Sequence, residues 1–381
     1  MIDLIIASLW GKLENNILVN QEDLDEMKSH SLIALPAYII PHLELNEELK
    51  AQWNDLIIKQ VAYYARYQYL QDHLPITVPY VILKGTSAAQ YYPHPELRAM
   101  GDIDIITRRE DFRKSCNMLL ENGFKEITTK NDEERQRQRV FIKKGIVIEM
   151  HSFFASLNDP EKVKLFDDLI IDNIQSSHVL PDLINGLVLV EHINQHLENG
   201  LGLRQIIDWM MFVDKCLPDD KWPEFQKHVR DIGLEKLAIV ATRMCEIYLG
   251  LSEHQWCKEA NTNLCSQLMD YILACGNFGH NLSINEKAAV ERNIRLKHPI
   301  KLVKELQILG LQNWTHANNP MLKPFAWIWQ GIQYIKKTPD IMNTYNEGKK
   351  LDLMFDSIGV KRTYRGLVYY EDGKYIKKKE K

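Results

Sequence analysis

The chain has 381 residues, 45% of them hydrophobic, and a formal net charge of −4. That length and apolar content suffice for a core in each of two domains, while the near-balanced charge lacks the broad positive field that holds a nucleic-acid backbone, so polynucleotide substrates are disfavoured. No stretch approaches a membrane span, Asp3 stands where a signal peptide is basic, and the six cysteines include no Cys-x-x-Cys pair, all of which points to a cytoplasmic protein with reduced thiols.

Residues 1–79 read as a helical segment, in which Leu49, Trp53, Ile57, Val61, Tyr64 and Tyr67 recur every three or four positions between Glu47 and Leu74. Residues 80–158 then alternate strand and helix. An apolar run from Val81 ends at Lys84, Gly85-Thr86-Ser87 turns into a helix, and a second apolar run carries Asp102 and Asp104. A helix from Glu110 to Asn122 buries Phe112, Cys116 and Leu119 or Leu120, with Gly123 as its C-terminal cap. Phe124–Thr129, Arg139–Lys143 and Gly145–His151 read as strands, the last two joined by a hairpin at Lys143-Lys144-Gly145. After Asn158-Asp159-Pro160 the pattern is helical through residue 359, and 360–381 reads as a polar tail. The fold class expected is α+β, a mixed sheet with helices between an N-terminal helical segment and an all-helical domain over 159–359.

Successive strand residues point to opposite faces, so Asp102 and Asp104 share one face and Ile103 and Ile105 the other. Two adjacent carboxylates repel, which calls for a cation between them or a proton on one. Amides at a helix start attract anions, and a glycine lets phosphate approach the backbone, so Lys84, Gly85, Thr86 and Ser87 are candidates for phosphate binding. Lys84 also reads as a residue pointing to solvent. A third acid, Glu149, interrupts the apolar run of the last strand and shares a face with His151. If that strand lies beside the Asp104 strand, three carboxylates converge, and Mg²⁺ (or Mn²⁺) relieves their repulsion.

This arrangement resembles the nucleotidyltransferase superfamily typified by DNA polymerase beta, and within it a bacterial branch of uncharacterised nucleotidyltransferases. Gly85-Thr86, the Asp102-x-Asp104 strand and Glu149 fall on the superfamily pattern in order; Leu83-Lys84-Gly85, Tyr92-Pro93, Arg98, His196, Leu203-Arg204 and Asp208 look like the branch's own. Thr stands for the commoner Ser, and the stretch from Thr86 to Asp102 is longer than in compact members. The resemblance implies a polymerase-beta-like catalytic core with Asp102, Asp104 and Glu149 as catalytic and metal-binding residues. It further implies transfer of a nucleoside monophosphate from an NTP to the hydroxyl of an unidentified small-molecule or protein acceptor. A non-catalytic nucleotide-binding or interaction module on the same fold is the alternative.

Other groups have plainer readings. His192 and His196, four apart on a helix, match a zinc pair without a visible third ligand, and hydrogen-bonded structural histidines are favoured. Arg204 and Asp208 read first as an i,i+4 ion pair, and through the branch resemblance Arg204 is also a nucleotide-binding candidate. Arg135, Arg137 and Arg139 share a face that suits a triphosphate or a solvated edge, the edge being favoured. The run Pro324 to Trp329 with Tyr334 reads as an acceptor- or partner-binding face or as a core helix, the core helix being favoured.

Overall fold

The predicted strands meet in one sheet. In a computed structural model, which describes residues 1–11, 17–129, 137–175, 177–197, 200–279, 281, 299–336, 341–360, 368–371 and 374–377, five strands stand side by side: β1 (Tyr80–Leu83), β2 (Ile103–Thr107), β3 (Lys125–Glu126), β4 (Gln138–Lys143) and β5 (Ile146–His151). Their order is β1-β2-β5-β4-β3, with β2 and β5 parallel and the other neighbours antiparallel. The sheet is therefore mixed and the fold is α+β. The β4–β5 hairpin turns at Lys144 and Gly145, whose φ values of 52° and 78° are those of the primed two-residue turn. Strand β3 is shorter than expected, because the Thr128 hydroxyl accepts the Val140 N–H at 3.1 Å in place of a further ladder bond.

Helices flank the sheet. Before it come α1 (Ile2–Trp10), α2 (Gln21–Ser29) and α3 (Glu47–Asp72). The start of α3 is set by Asn46, whose side chain accepts the Leu49 N–H at 2.8 Å, with Glu47 and Glu48 beside the positive helix end. Its buried side chains are Leu49, Trp53, Tyr67 and Leu70, whereas Ile57, Val61 and Tyr64 are half-buried. Within the sheet region lie α4 (Gly85–Ala89) and α5 (Phe112–Glu121), and α5 buries Leu119 and leaves Leu120 exposed. Tyr67 and Leu70 of α3, Cys116 and Leu119 of α5, and the sheet residues Ile82, Ile103, Ile105, Ile148 and Met150 make one apolar cluster. The polar residues of the strands face the other way.

Further helices follow among the described residues: α6 (Pro160–Asp172), α7 (Asp182–Leu197), α8 (Leu203–Cys216), α9 (Trp222–Asp231), α10 (Glu235–Tyr248) and α11 (Thr262–Cys275). By internal packing the chain divides into two compact units, Met1–Asn281 with Gly366–Lys381, and Leu282–Arg365. No described helix is long and apolar enough to cross a membrane.

The second unit contains α12 (Pro299–Asn313), α13 (Ala326–Lys336) and α14 (Ile341–Ser357). The Trp314 and Trp329 rings stack there at 6.0 Å. The aromatic run expected as a core helix is helical but not core: Ala326 is buried, while Phe325, Ile328, Ile332 and Ile335 form an exposed stripe at helical spacing. One helix face buries against α12 and the opposite face has no described cover.

The expected polar tail also differs. Strands β6 (Val368–Glu371) and β7 (Lys374–Lys377) form a hairpin in the first unit. The Tyr375 hydroxyl bonds to Asp167, and the Tyr370 and Tyr375 rings lie 4.9 and 4.8 Å from the Arg109 guanidinium carbon. Aromatic and cation–π contacts hold this segment where charge alone suggested a loose end.

Candidate functional site

Strand register builds the site. In the parallel pair β2–β5, Asp104 stands opposite Glu149, so the two carboxylates lie side by side on one face; His151, two residues along β5, joins them. One donor atom from each of Asp104, Glu149 and His151 lies within 4.8 Å of the others. The opposite face at these positions, Ile103, Ile105, Ile148 and Met150, is completely buried and anchors the strands.

Lys84 does not point to solvent. Its Nζ lies 2.9 Å from Asp104 Oδ1, and His151 Nε2 lies 2.8 Å from the same oxygen and 3.7 Å from Glu149 Oε2. The backbone bends to achieve this, since Lys84 takes φ 56° and Gly85 follows at φ 45°. For lysine such a conformation costs about 1–3 kcal/mol, a strain that aims the ammonium inward. Behind it, Lys84 Nζ also sits 5.5 Å from the Phe154 ring centroid.

The charges do not cancel. Burial acts to raise the Asp104 pKa, but Lys84 and His151 outweigh it and hold this carboxyl below its ordinary range. At Glu149 the balance reverses: burial, then the Asp104 and Asp102 charges, outweigh the pull of Lys84 and Arg137 and push it up to about 8. Asp102 is raised by the Asp104 charge and by burial. Burial also lowers His151, against the pull of Asp104, and so favours the neutral imidazole. Asp102 and Glu149 both stay raised although Lys84, with Arg204 and Arg137 farther off, acts to lower them, and this surplus negative charge calls for a proton or a cation.

Asp102 lies just before β2, outside the 4.8 Å group of donors, and acts on it through charge. The hydroxyls of the glycine turn are engaged elsewhere. Thr86 Oγ1 donates to Gln71 Oε1 at 2.8 Å, and the buried Ser87 Oγ donates to the Ile82 carbonyl at 2.6 Å. A Cβ on Gly85 would fall 2.4 Å from the Tyr67 hydroxyl oxygen, so this position needs glycine for room as well as for φ.

Arg204 is buried and donates to the Ala99 carbonyl at 3.2 Å; its charge reaches Asp102. The expected Arg204–Asp208 pair gives way to a tertiary one. Arg98 Nε and Nη2 donate to Asp208 Oδ1 and Oδ2 at 2.7 and 2.6 Å, and the Tyr92 hydroxyl adds a bond to Oδ1 at 2.7 Å. A two-pronged guanidinium contact is stronger than a single i,i+4 contact.

The histidine pair is hydrogen-bonded, as the structural reading has it: His192 Nε2 and His196 Nε2 are 2.9 Å apart, both kept neutral by burial, His196 lowered to about 3. The arginine face does not act as one grip. Arg139 forks onto Glu126 at 2.7 and 2.6 Å, Arg137 Nη2 donates to the Phe154 carbonyl at 2.7 Å, and Arg135 lies outside the described residues. Sequence reasoning placed His151 on the Glu149 face without giving it a role; its position two residues on from an acid in the same strand was the available signal.

The model of a family described as uncharacterised nucleotidyltransferases matches residues 17–250, more than half of the chain and all of this site. The chain belongs to this family. No curated protein and no solved structure matches it. The nucleotidyltransferase match thus takes in α3, the glycine turn, the acidic strands and the Arg98–Asp208 pair, and leaves out the second unit and the β6–β7 hairpin.

Proposed function

We propose that the protein is a Mg²⁺-dependent nucleotidyltransferase of the DNA polymerase beta-like superfamily. It moves a nucleoside monophosphate from an NTP to the hydroxyl of a small-molecule or protein acceptor and releases pyrophosphate. One observation carries this reading: Asp104 and Glu149 stand side by side in register with Asp102 close by, offering more carboxylate than Lys84 neutralises.

This oxygen-rich, negatively overloaded set fits Mg²⁺ or Mn²⁺, which Asp104 and Glu149 would hold, with Asp102 joining from its place just outside the group of close donors. When bound, the metal supplies charge neutralisation for the triphosphate and lowers the pKa of the acceptor hydroxyl. Asp104, fixed by Lys84 and His151, presents an ionised carboxylate in one orientation. Glu149, beside Asp104 in the strand register, would be held ionised by the bound cation and so placed to take the acceptor's proton. The glycine turn contributes main-chain N–H groups of Gly85 and Thr86 to the β and γ phosphates, because the side-chain hydroxyls are committed to Gln71 and Ile82. Lys84 and Arg204 add positive charge that acts on Asp102.

The test is incubation with each labelled NTP, Mg²⁺ and a cell extract, following both pyrophosphate and the labelled product. Turnover lost in Asp104→Asn supports transfer. Mg²⁺-dependent NTP binding without pyrophosphate above the Asp104→Asn control would replace it with the non-catalytic regulator.

A further inference from the structure

Helix α3 touches the site along a single stripe. Gln60, Tyr63, Tyr67 and Gln71 are spaced by three, four and four residues, so they lie on one face. Gln60 Nε2 donates to the Leu97 carbonyl at 2.9 Å, the Tyr63 hydroxyl to the Gly101 carbonyl at 3.2 Å, and the Tyr67 hydroxyl to the Asp102 carbonyl at 3.0 Å. Gln71 Oε1 accepts from Thr86 Oγ1 at 2.8 Å. Three of these bonds seize the loop that delivers Asp102 and Asp104 into β2. The fourth seizes the first turn of α4.

We infer that this stripe consists of positioning residues for nucleotidyl transfer, with Tyr67 as the pin that sets the Asp102 loop against the Gly85 turn. The inference rests on the function proposed above. Tyr67 is completely buried, and its hydroxyl fills the place that a Cβ on Gly85 would take, 2.4 Å away. One oxygen therefore touches both halves of the site: the backbone of Asp102, and the turn that starts at Lys84 and sends its ammonium to Asp104. Packing alone would be served by apolar tips. Here the helix face ends in donors and an acceptor aimed at main-chain carbonyls and a turn hydroxyl, which fix position to within a hydrogen-bond length, and misplacement by about 1 Å costs up to a hundredfold in rate.

The experiment is a double-mutant cycle on the full chain with Tyr67→Phe, Gly85→Ala and both, measuring thermal unfolding, NTP KM, kcat and the Mg²⁺ concentration for half-maximal rate. The strained φ at Gly85 is common to both Ala variants, so the cycle isolates the hydroxyl. Tyr67→Phe should stay folded with NTP KM within about twofold of wild type, while kcat falls roughly tenfold and the Mg²⁺ requirement rises. Gly85→Ala should lose roughly a hundredfold, and the double variant should recover about tenfold of that loss as the clash disappears. Tyr63→Phe, altered at a half-exposed hydroxyl, should move kcat and Mg²⁺ requirement in the same direction to a smaller extent and covers the case in which Tyr67→Phe fails to fold.

A folded Tyr67→Phe with unchanged kcat and Mg²⁺ requirement, beside an active wild type, overturns the stripe alone, as does a double variant no better than Gly85→Ala. Absence of pyrophosphate release from the wild type overturns the transfer reading and the stripe's role with it.

Discussion

Around Asp208 one carboxylate meets the Arg98 guanidinium in a two-pronged contact, and Tyr92 adds a hydroxyl, so the carboxylate has its counter-charge in direct contact. Around Asp104 the same burial encloses a different stoichiometry: Lys84 and His151 share one carboxylate oxygen while Glu149 and Asp102 press in with their own charges. Both clusters join segments distant in sequence. The contrast teaches that burial of charge does not by itself mark a site; an uncompensated surplus does, because folding tolerates it only with a proton or an ion in attendance.

Breaking the two clusters should have opposite signatures. Asp104→Asn should lower kcat by roughly a thousandfold, since several kcal/mol of transition-state charge stabilisation go with the carboxylate; steady-state pyrophosphate release measures it. Asp208→Asn should act on the fold, because Arg98 is left buried without its counter-charge, at a cost of about 3–5 kcal/mol in urea unfolding, with kcat of the folded fraction changed far less. Equal loss of stability in the two variants would erase the distinction.

The surplus also predicts a pH dependence. Glu149 is pushed up from 4.5 to about 8 in the fold, so below about pH 4.5 both states hold its proton and it contributes nothing. Between about 4.5 and 8 the unfolded chain releases a proton that the folded chain retains, and metal-free stability falls, levelling off above 8, by on the order of a few kcal/mol. Glu191, raised to about 7, and Asp167, raised to about 6, slope the same way, so the difference between wild type and Glu149→Gln isolates the effect. Mg²⁺ should flatten the slope of the wild type and leave that of Glu149→Gln unaltered.

The smallest effect belongs to a third charge pair. Arg139 and Glu126 form a two-pronged contact in a partly exposed setting, so Arg139→Ala should cost about 0.2–1 kcal/mol and leave pyrophosphate release unchanged. A large activity loss there would reopen the arginine face as a phosphate grip.

Much of the site could be read from residue order. Period-two alternation put Glu149 and His151 on one face and their apolar neighbours on the other, and the glycine turn announced a strand-to-helix junction. What local arithmetic did not contain was partner choice. Four-residue spacing pairs Asp208 with Arg204, but a loop more than a hundred residues upstream supplies the better fork in Arg98. Tyr67 fits the apolar stripe of α3 through its ring, while the destination of its hydroxyl, Asp102, is set by tertiary packing. Inward use of the Thr86 and Ser87 hydroxyls is likewise decided by Gln71 and by the end of β1. The β6–β7 hairpin was written locally: Asp372-Gly373 between Val368-Tyr369-Tyr370 and Lys374-Tyr375-Ile376 is a hairpin signal masked by the surrounding lysines.

The central claim is that surplus carboxylate at Asp104 and Glu149 seats a divalent ion for an NTP. Its most direct measurement is anomalous diffraction from crystals grown with Mn²⁺ and a non-hydrolysable NTP. The predicted result is a Mn²⁺ peak between the carboxylates of Asp104 and Glu149, with the triphosphate beside the Gly85 turn. Nucleotide bound elsewhere, or a Mn²⁺ peak that avoids both carboxylates, would contradict it.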